Sequence, residues 1–187
     1  AQTEKLTDYV NPFVGTDGYG NVYPGAQIPF GGIQISPDTD SRFYDAASGY
    51  KYNHLTLMGF SLTHLSGTGI PDLGDFLFIP GTGEMKLEPG THEDPDQGYC
   101  SRYSHDKEWA SPNYYAVELA DYGVKAEMTS GVRSGMFRFT YPESDNAFIM
   151  IDMNHTLWQS CEWSNLRMIN DSTITGYKLV KGWGPER

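Results

Sequence analysis

Basic side chains are scarce in this sequence: 13 Lys and Arg stand against 24 Asp and Glu, a net charge of −11. Phosphate backbones are held by stripes of Lys and Arg, so this balance argues against a nucleic-acid partner. Long apolar runs are also missing. The cleanest, Phe76–Pro80 and Ala147–Ile151, are about five residues, where a membrane helix needs roughly 20. No membrane span is expected. Cysteine is limited to Cys100 and Cys161, neither with a CxxC partner or a His at zinc spacing. A disulfide between them stays open, since it requires Cα atoms about 4.4–6.8 Å apart, which sequence does not show. There is no visible signal peptide, and the opening Ala-Gln-Thr-Glu without Met fits a processed export product.

Turn formers and aromatics are plentiful. Gly (21) and Pro (11) accompany 13 Tyr and 4 Trp in 187 residues. That profile describes many short strands joined by tight turns, in one domain or part of a larger one. The rings either fill a β core or stack on sugar faces. Residues 1–50 carry the densest turn chemistry, including Asn11-Pro12, Gly15 to Gly18, Pro24-Gly25 and Gly31-Gly32. Such spacing leaves room only for short extended pieces such as Gly32–Ser36. Because Phe13, Val14, Tyr19, Val22, Tyr23, Ile28 and Phe30 lie within it, this stretch is expected to pack as a site-forming loop.

Strand signals follow. Tyr115, Val117 and Leu119 alternate with Ala116, Glu118 and Ala120, and Val124, Ala126 and Met128 alternate beyond Asp121-Tyr-Gly123. Two period-2 runs around a Gly turn predict a hairpin with one buried face. Val132 to Thr140 extends it with Phe137 and Phe139 inward. Ala147–Asp152 reads as a strand buried on both faces, and Ser172–Lys181 as a further strand. The fold class is all-β, an antiparallel β-sandwich of about ten or more strands.

Polar groups concentrate in Gly59-Phe-Ser-Leu-Thr-His-Leu-Ser-Gly-Thr-Gly69 and the following Asp72-Leu-Gly-Asp75. Glycines allow a ligand to approach the backbone, while Thr63, His64, Ser66, Thr68, Asp72 and Asp75 offer hydrogen bonds of both senses. The mixture suits a polyhydroxylated ligand; it equally suits a turn that caps its own backbone. A nucleophile elbow fails around Ser66, because His64 and Thr68 occupy the glycine positions. A glycosidase needs an acid and a base on either side of the scissile bond, and Asp72 and Asp75 are candidates, although Asp in such turns more often caps N–H groups. Asp38-x-Asp40 and Asp94-Pro-Asp96 read as solvated loop charges without the rest of a calcium loop. His92, His105 and His155 lack ligand spacing and are expected in ordinary hydrogen-bonding roles.

Several strings together resemble glycoside hydrolase family 92. They are Tyr9-Val-Asn-Pro-Phe-Val-Gly-Thr16, Tyr23-Pro-Gly-Ala26, Pro29-Phe-Gly31, Ser36-Pro-Asp-Thr39 and Ser48-Gly-Tyr-Lys-Tyr52. The Gly59–Gly69 run, Asp72 to Asp75, Tyr103 to Glu108 and Gly123 to Thr129 continue in order. The resemblance implies a calcium-dependent, inverting exo-α-mannosidase, secreted or periplasmic, acting on N-glycans or mannans. It also implies an N-terminal β-sandwich (a super-sandwich) followed by an (α/α)6 barrel that holds the acid, the base and the calcium ligands. Residues 1–187 then form the N-terminal domain, lacking its last strands and the barrel. The partners are a mannose-containing glycan and the C-terminal part of the same enzyme.

On this resemblance Phe30, Gly31, Ser66, Gly67, Thr68 and Gly69 face the sugar or the domain junction, with His64, Asp72 and Asp75 bracing them. Many family members resemble a Trp-x-x-Cys-Ser-Gly pattern whose Trp stacks on the leaving sugar. Here Phe43-Tyr-Asp-Ala-Ala-Ser-Gly49 has neither Trp nor Cys, so Tyr44 is the candidate to stack instead. The other class of function is a free-standing carbohydrate-binding sandwich.

Overall fold

The computed structural model describes residues 4–40 and 46–182. Among them there is no α-helix, and twelve strands appear, all paired antiparallel. One sheet is the meander β6 (Glu108–Ser111), β7 (Tyr114–Leu119), β8 (Val124–Ser130) and β9 (Gly135–Thr140), in that spatial order. The other has the order β1 (Ser36–Asp38), β3 (Gly59–Ser61), β4 (Leu77–Thr82), β10 (Ala147–Asp152). Strands β2 (Thr56–Leu57) and β5 (Ser101–Arg102) form a small ribbon, and β11 (Ser160–Asn170) pairs with β12 (Thr173–Lys181). No helix is long and apolar enough to cross a membrane among the described residues.

The meander follows from its alternation. Leu119 pairs with Val124 across the turn, and Gly123 takes the left-handed conformation that the turn requires, φ +64°. Tyr115, Val117, Leu119, Val124, Ala126 and Met128 are all buried. The two sheets meet through rings, with Phe137 of β9 centred 5.0 Å from Phe78 of β4 and 6.5 Å from Phe60 of β3. Phe60 is fully buried, which is worth about 1.5–3 kcal/mol for a side chain of this kind. A smaller cluster joins Met58, Leu77, Ile79, Tyr99 and Cys100. Glu108, the first residue of β6, is buried, accepting from Tyr50 at 2.9 Å and Tyr115 at 2.5 Å and facing His105 Nδ1 at 2.6 Å.

Several expectations shift. The third strand starts at Gly135, because Gly131 N donates to Ser134 O and turns the chain first. Within Gly32–Ser36, Ile35 makes a lone bridge to Ala26 and Ser36 opens β1. Strand β10, the outer strand of its sheet, is only half-buried: Phe148, Met150, Ile151 and Asp152 are partly covered, while Ile149 stays 53% exposed. Asp38 and Asp40 are not solvated: both are buried, in contrast to exposed Asp94 and Asp96. Cys100 and Cys161 do not form a disulfide with each other.

Strand β11 has no counterpart in the sequence reading. Its register slips between Cys161 and Trp163 and again between Met168 and Asn170, which breaks the two-residue period that would have marked it. The hairpin projects Trp163, Leu166, Met168, Ile174 and Tyr177 into solvent. Val180 and the side chain of Lys178 are buried at its base.

Candidate functional site

The glycine-rich segment folds back on itself beyond β3. Leu62 N donates to Asp75 O and Gly74 N to Thr63 O, with His64 bridged to Leu73. Residues 65–72 are thereby pushed out as a loop in which Ser66, Gly67 and Thr68 are exposed and Gly69 is half-buried. Gly67 and Gly69 have φ of +75° and +62°, conformations that glycine adopts without strain. Gly67 N donates to Asn21 O at 2.6 Å, tying the loop to the irregular N-terminal stretch. Ser66 shares a cleft of about 400 Å³ with Tyr23, Gln27, Ile28 and Pro29. Tyr23 donates to Gln27 at its wall, and burial pushes its phenol up to about 12.

Phe30 and Gly31 follow Pro29 in a turn closed by Gly31 N donating to Ile28 O. Phe30 is fully exposed at a left-handed φ of 58°, an uncommon conformation for a bulky residue. The structure therefore brings Ser66 and the turn before Phe30 to one rim. Thr68 Oγ1 is spent on its own loop, donating to Ile70 O at 3.1 Å. Tyr44 lies outside the described residues.

Beneath the rim sits Asp38, wholly buried. His64 Nε2 stands 2.7 Å from its Oδ1 and His155 Nε2 2.7 Å from its Oδ2. His64 Nδ1 faces Gln34 O at 2.7 Å. With an acceptor-only oxygen at each nitrogen, His64 donates from both. Burial alone would raise the Asp38 carboxyl, but the charge of His64 and the hydrogen bonds from His155 and His64 outweigh it and hold it well below the usual range. Gly49 is required here, because a Cβ at that position would lie 2.1 Å from Asp38 Oδ1.

Ser61 Oγ also lies 3.0 Å from His64 Nε2. A Ser-His-Asp triad places serine and carboxylate on opposite ring nitrogens. Here both address Nε2, out of reach of solvent, so this is an anchor. Asp72 Oδ1 accepts from Leu73 N at 2.7 Å; Asp75 accepts from Thr63 Oγ1 at 3.0 Å and pairs with Lys178 Nζ at 3.1 Å. Both carboxylates brace the loop, and neither stands ready as an acid or base. A calcium ion takes six to eight oxygen ligands, and no group of three or more His, Cys, Asp or Glu is arranged to hold a metal among the described residues. Calcium therefore does not fit the site that these residues make. Sequence reasoning missed Asp38 and His155 as the hub, since 117 residues separate them.

A model of the glycosyl hydrolase family 92 N-terminal domain matches residues 9–187. The chain belongs to glycoside hydrolase family 92. Over its whole length it is 99% identical to the family GH92 alpha-mannosidase BT3965 from Bacteroides thetaiotaomicron, with a TM-score of 0.98 and 25% of that chain covered. The same mannosidase in complex with mannoimidazole matches with a TM-score of 0.97, over 98% of this chain and 24% of that one. The inverting mannosidase BT2199 from B. thetaiotaomicron VPI-5482 is 27% identical over 80% of this chain and 20% of that one, with a TM-score of 0.64. An uncharacterized secreted glycosidase of Arthroderma benhamiae is 30% identical over 145 residues, 73% of this chain and 17% of that protein. This family-92 chain thus spans about a quarter or less of the length of these relatives.

Proposed function

We propose that this chain acts within a longer family-92 polypeptide as the pocket wall of an inverting, calcium-dependent exo-α-mannosidase. Its substrate is terminal α-linked mannose of N-glycans or mannans, met outside the cytoplasm in a secreted or periplasmic setting. The observation that carries the reading is the rigid exposed rim, Ser66 to Gly69 beside the Pro29–Gly31 turn, anchored on a buried Asp38. Mannoimidazole bound to the 99% identical mannosidase supports the sugar. Hydroxyl, backbone N–H and an exposed ring suit a neutral pyranose, and a braced rim orients it and keeps water out.

Acid, base and calcium ligands are assigned to the polypeptide beyond this chain, as Asp72 and Asp75 are committed to the loop. The apolar side chains exposed on β11 and β12 support a covering surface from that remainder, because an uncovered two-stranded hairpin is marginal in water.

The test is hydrolysis of an aryl α-mannoside by the intact polypeptide, before and after chelation, with the anomer of the product followed by NMR. Activity that inverts and is lost on chelation supports the reading. A polypeptide that binds mannosides and hydrolyses none overturns it in favour of a carbohydrate-binding module.

A further inference from the structure

A second cleft, of about 590 Å³, opens on the His155 side of Asp38, lined by Glu88, Tyr99, Asp152, His155, Trp158 and Gln159 among others. His155 is only 5% exposed. Its Nε2 faces a carboxylate, which only accepts, so Nε2 carries a hydrogen and Nδ1 is the ring nitrogen left over. Nδ1 makes no hydrogen bond with any described residue, and it is not among the buried atoms sealed from solvent. A buried ring, aimed by Asp38, thus opens one nitrogen onto the cleft it lines.

Trp158 stands on the same cleft, 62% exposed, with its backbone left-handed at φ 63°. That conformation is disfavoured for a bulky residue and persists where the surroundings fix it. Thr156 Oγ1 accepts from Gln159 N at 3.2 Å and donates to Gln159 O at 2.9 Å. Gln159 Nε2 donates to Pro71 O at 2.7 Å, and Leu157 N donates to Leu73 O at 3.0 Å. The indole is therefore presented by a braced turn that leans on the glycine-rich loop.

We propose that His155 and Trp158 form a saccharide subsite, with the indole against the apolar face of a pyranose and His155 Nδ1 hydrogen-bonded to one of its hydroxyls. Asp152 and Glu88 on the same cleft accept hydrogen bonds from hydroxyls and repel anionic ligands, so the ligand is a neutral sugar. The choice of mannose rests on the mannosidase reading; the subsite itself does not.

The probe is S-linked α-mannobiose, which resists hydrolysis, titrated calorimetrically into the intact polypeptide. Trp158→Ala weakens binding about tenfold or more, and Trp158→Phe recovers most of the loss. The KM for the O-linked disaccharide rises in step. His155→Ala risks the fold by stripping Asp38 of a partner, so the Trp158 variants, checked for native unfolding, carry the test. Affinity and KM unchanged in Trp158→Ala overturn the subsite, whether or not mannosides are hydrolysed. Trp158-dependent binding in a polypeptide that hydrolyses no α-mannoside leaves the subsite standing and overturns only the mannosidase reading.

Discussion

Asp38 and His155 are 117 residues apart in the chain and meet at 2.7 Å, carboxylate Oδ2 against imidazole Nε2. Through its other oxygen the same carboxylate holds His64 at 2.7 Å. One buried group thereby joins β1, the glycine-rich loop and the turn that precedes β11. The exposed residues of the rim inherit their positions from a carboxylate that never meets solvent, and most of the expected outcomes below follow from that dependence.

Replacing Asp38 by Asn sets an amide N–H against an imidazole N–H and leaves His64 without its counter-charge. Removing one partner of a buried ion pair costs about 3–5 kcal/mol. Urea unfolding of wild type and Asp38→Asn measures the difference; a loss below about 1 kcal/mol would deny the hub its role.

The same carboxylate sets an acid limit. Its folded pKa is depressed, so the unfolded state binds the proton first. The stability it contributes is fully present above its unfolded pKa of about 3.9 and is lost as the pH falls below that toward the lowered folded value. The stability gap between wild type and Asp38→Asn should narrow below about pH 4, where the unfolded carboxyl takes up its proton. A gap that widens below about pH 4 contradicts the assignment.

Gly49→Ala and Gly67→Ala form a matched pair, since both glycines have φ above +70°. At Gly67 nothing lies within 4 Å of the added methyl, so only the backbone penalty of about 1–2 kcal/mol applies. At Gly49 the methyl would sit 2.1 Å from Asp38 Oδ1, adding an overpacking cost of about 1–3 kcal/mol. Thermal denaturation should rank Gly49→Ala as clearly the worse.

Lys178 ties the hairpin to the body of the domain, donating to His155 O at 2.6 Å and pairing with Asp75 at 3.1 Å. Its side chain is only 3% exposed. In Lys178→Met, faster hydrogen exchange should appear in residues 160–181 and spread to the Thr63–Asp75 tie, with the meander protected as before. Uniform exchange across the chain would remove Lys178 as the local tether.

Phe30 tests the rim. It is fully exposed, so Phe30→Ala should change stability by no more than about 0.5 kcal/mol. If its ring contacts sugar, kcat/KM for α-mannosides in the intact polypeptide drops about tenfold, equivalent to about 1.4 kcal/mol. Unchanged kinetics would take Phe30 out of the site.

Much of the architecture was legible because burial imposes period two on a strand. Tyr115, Val117 and Leu119 against Val124, Ala126 and Met128 marked both the hairpin and its buried face, and the structure pairs them in that register. Where the period breaks, the signal goes with it. The slipped register of β11 hid an eleven-residue strand, and β10 looked doubly buried because its residues are apolar on both faces, although none is fully buried.

The sequence by itself determined the fold class, the family, and the exposed glycine-rich loop that local turn chemistry forces outward. Tertiary structure alone decided which polar groups act together. Asp38 carries the sequence marks of a solvated loop aspartate, and His155 of an isolated histidine. Their meaning is set by a contact between β1 and the turn beyond β10 of the same sheet, where exclusion of water turns a carboxylate and two imidazoles into an anchor. A pairing between strands and turns distant in sequence leaves no periodicity to read, because it depends on where the chain returns in space.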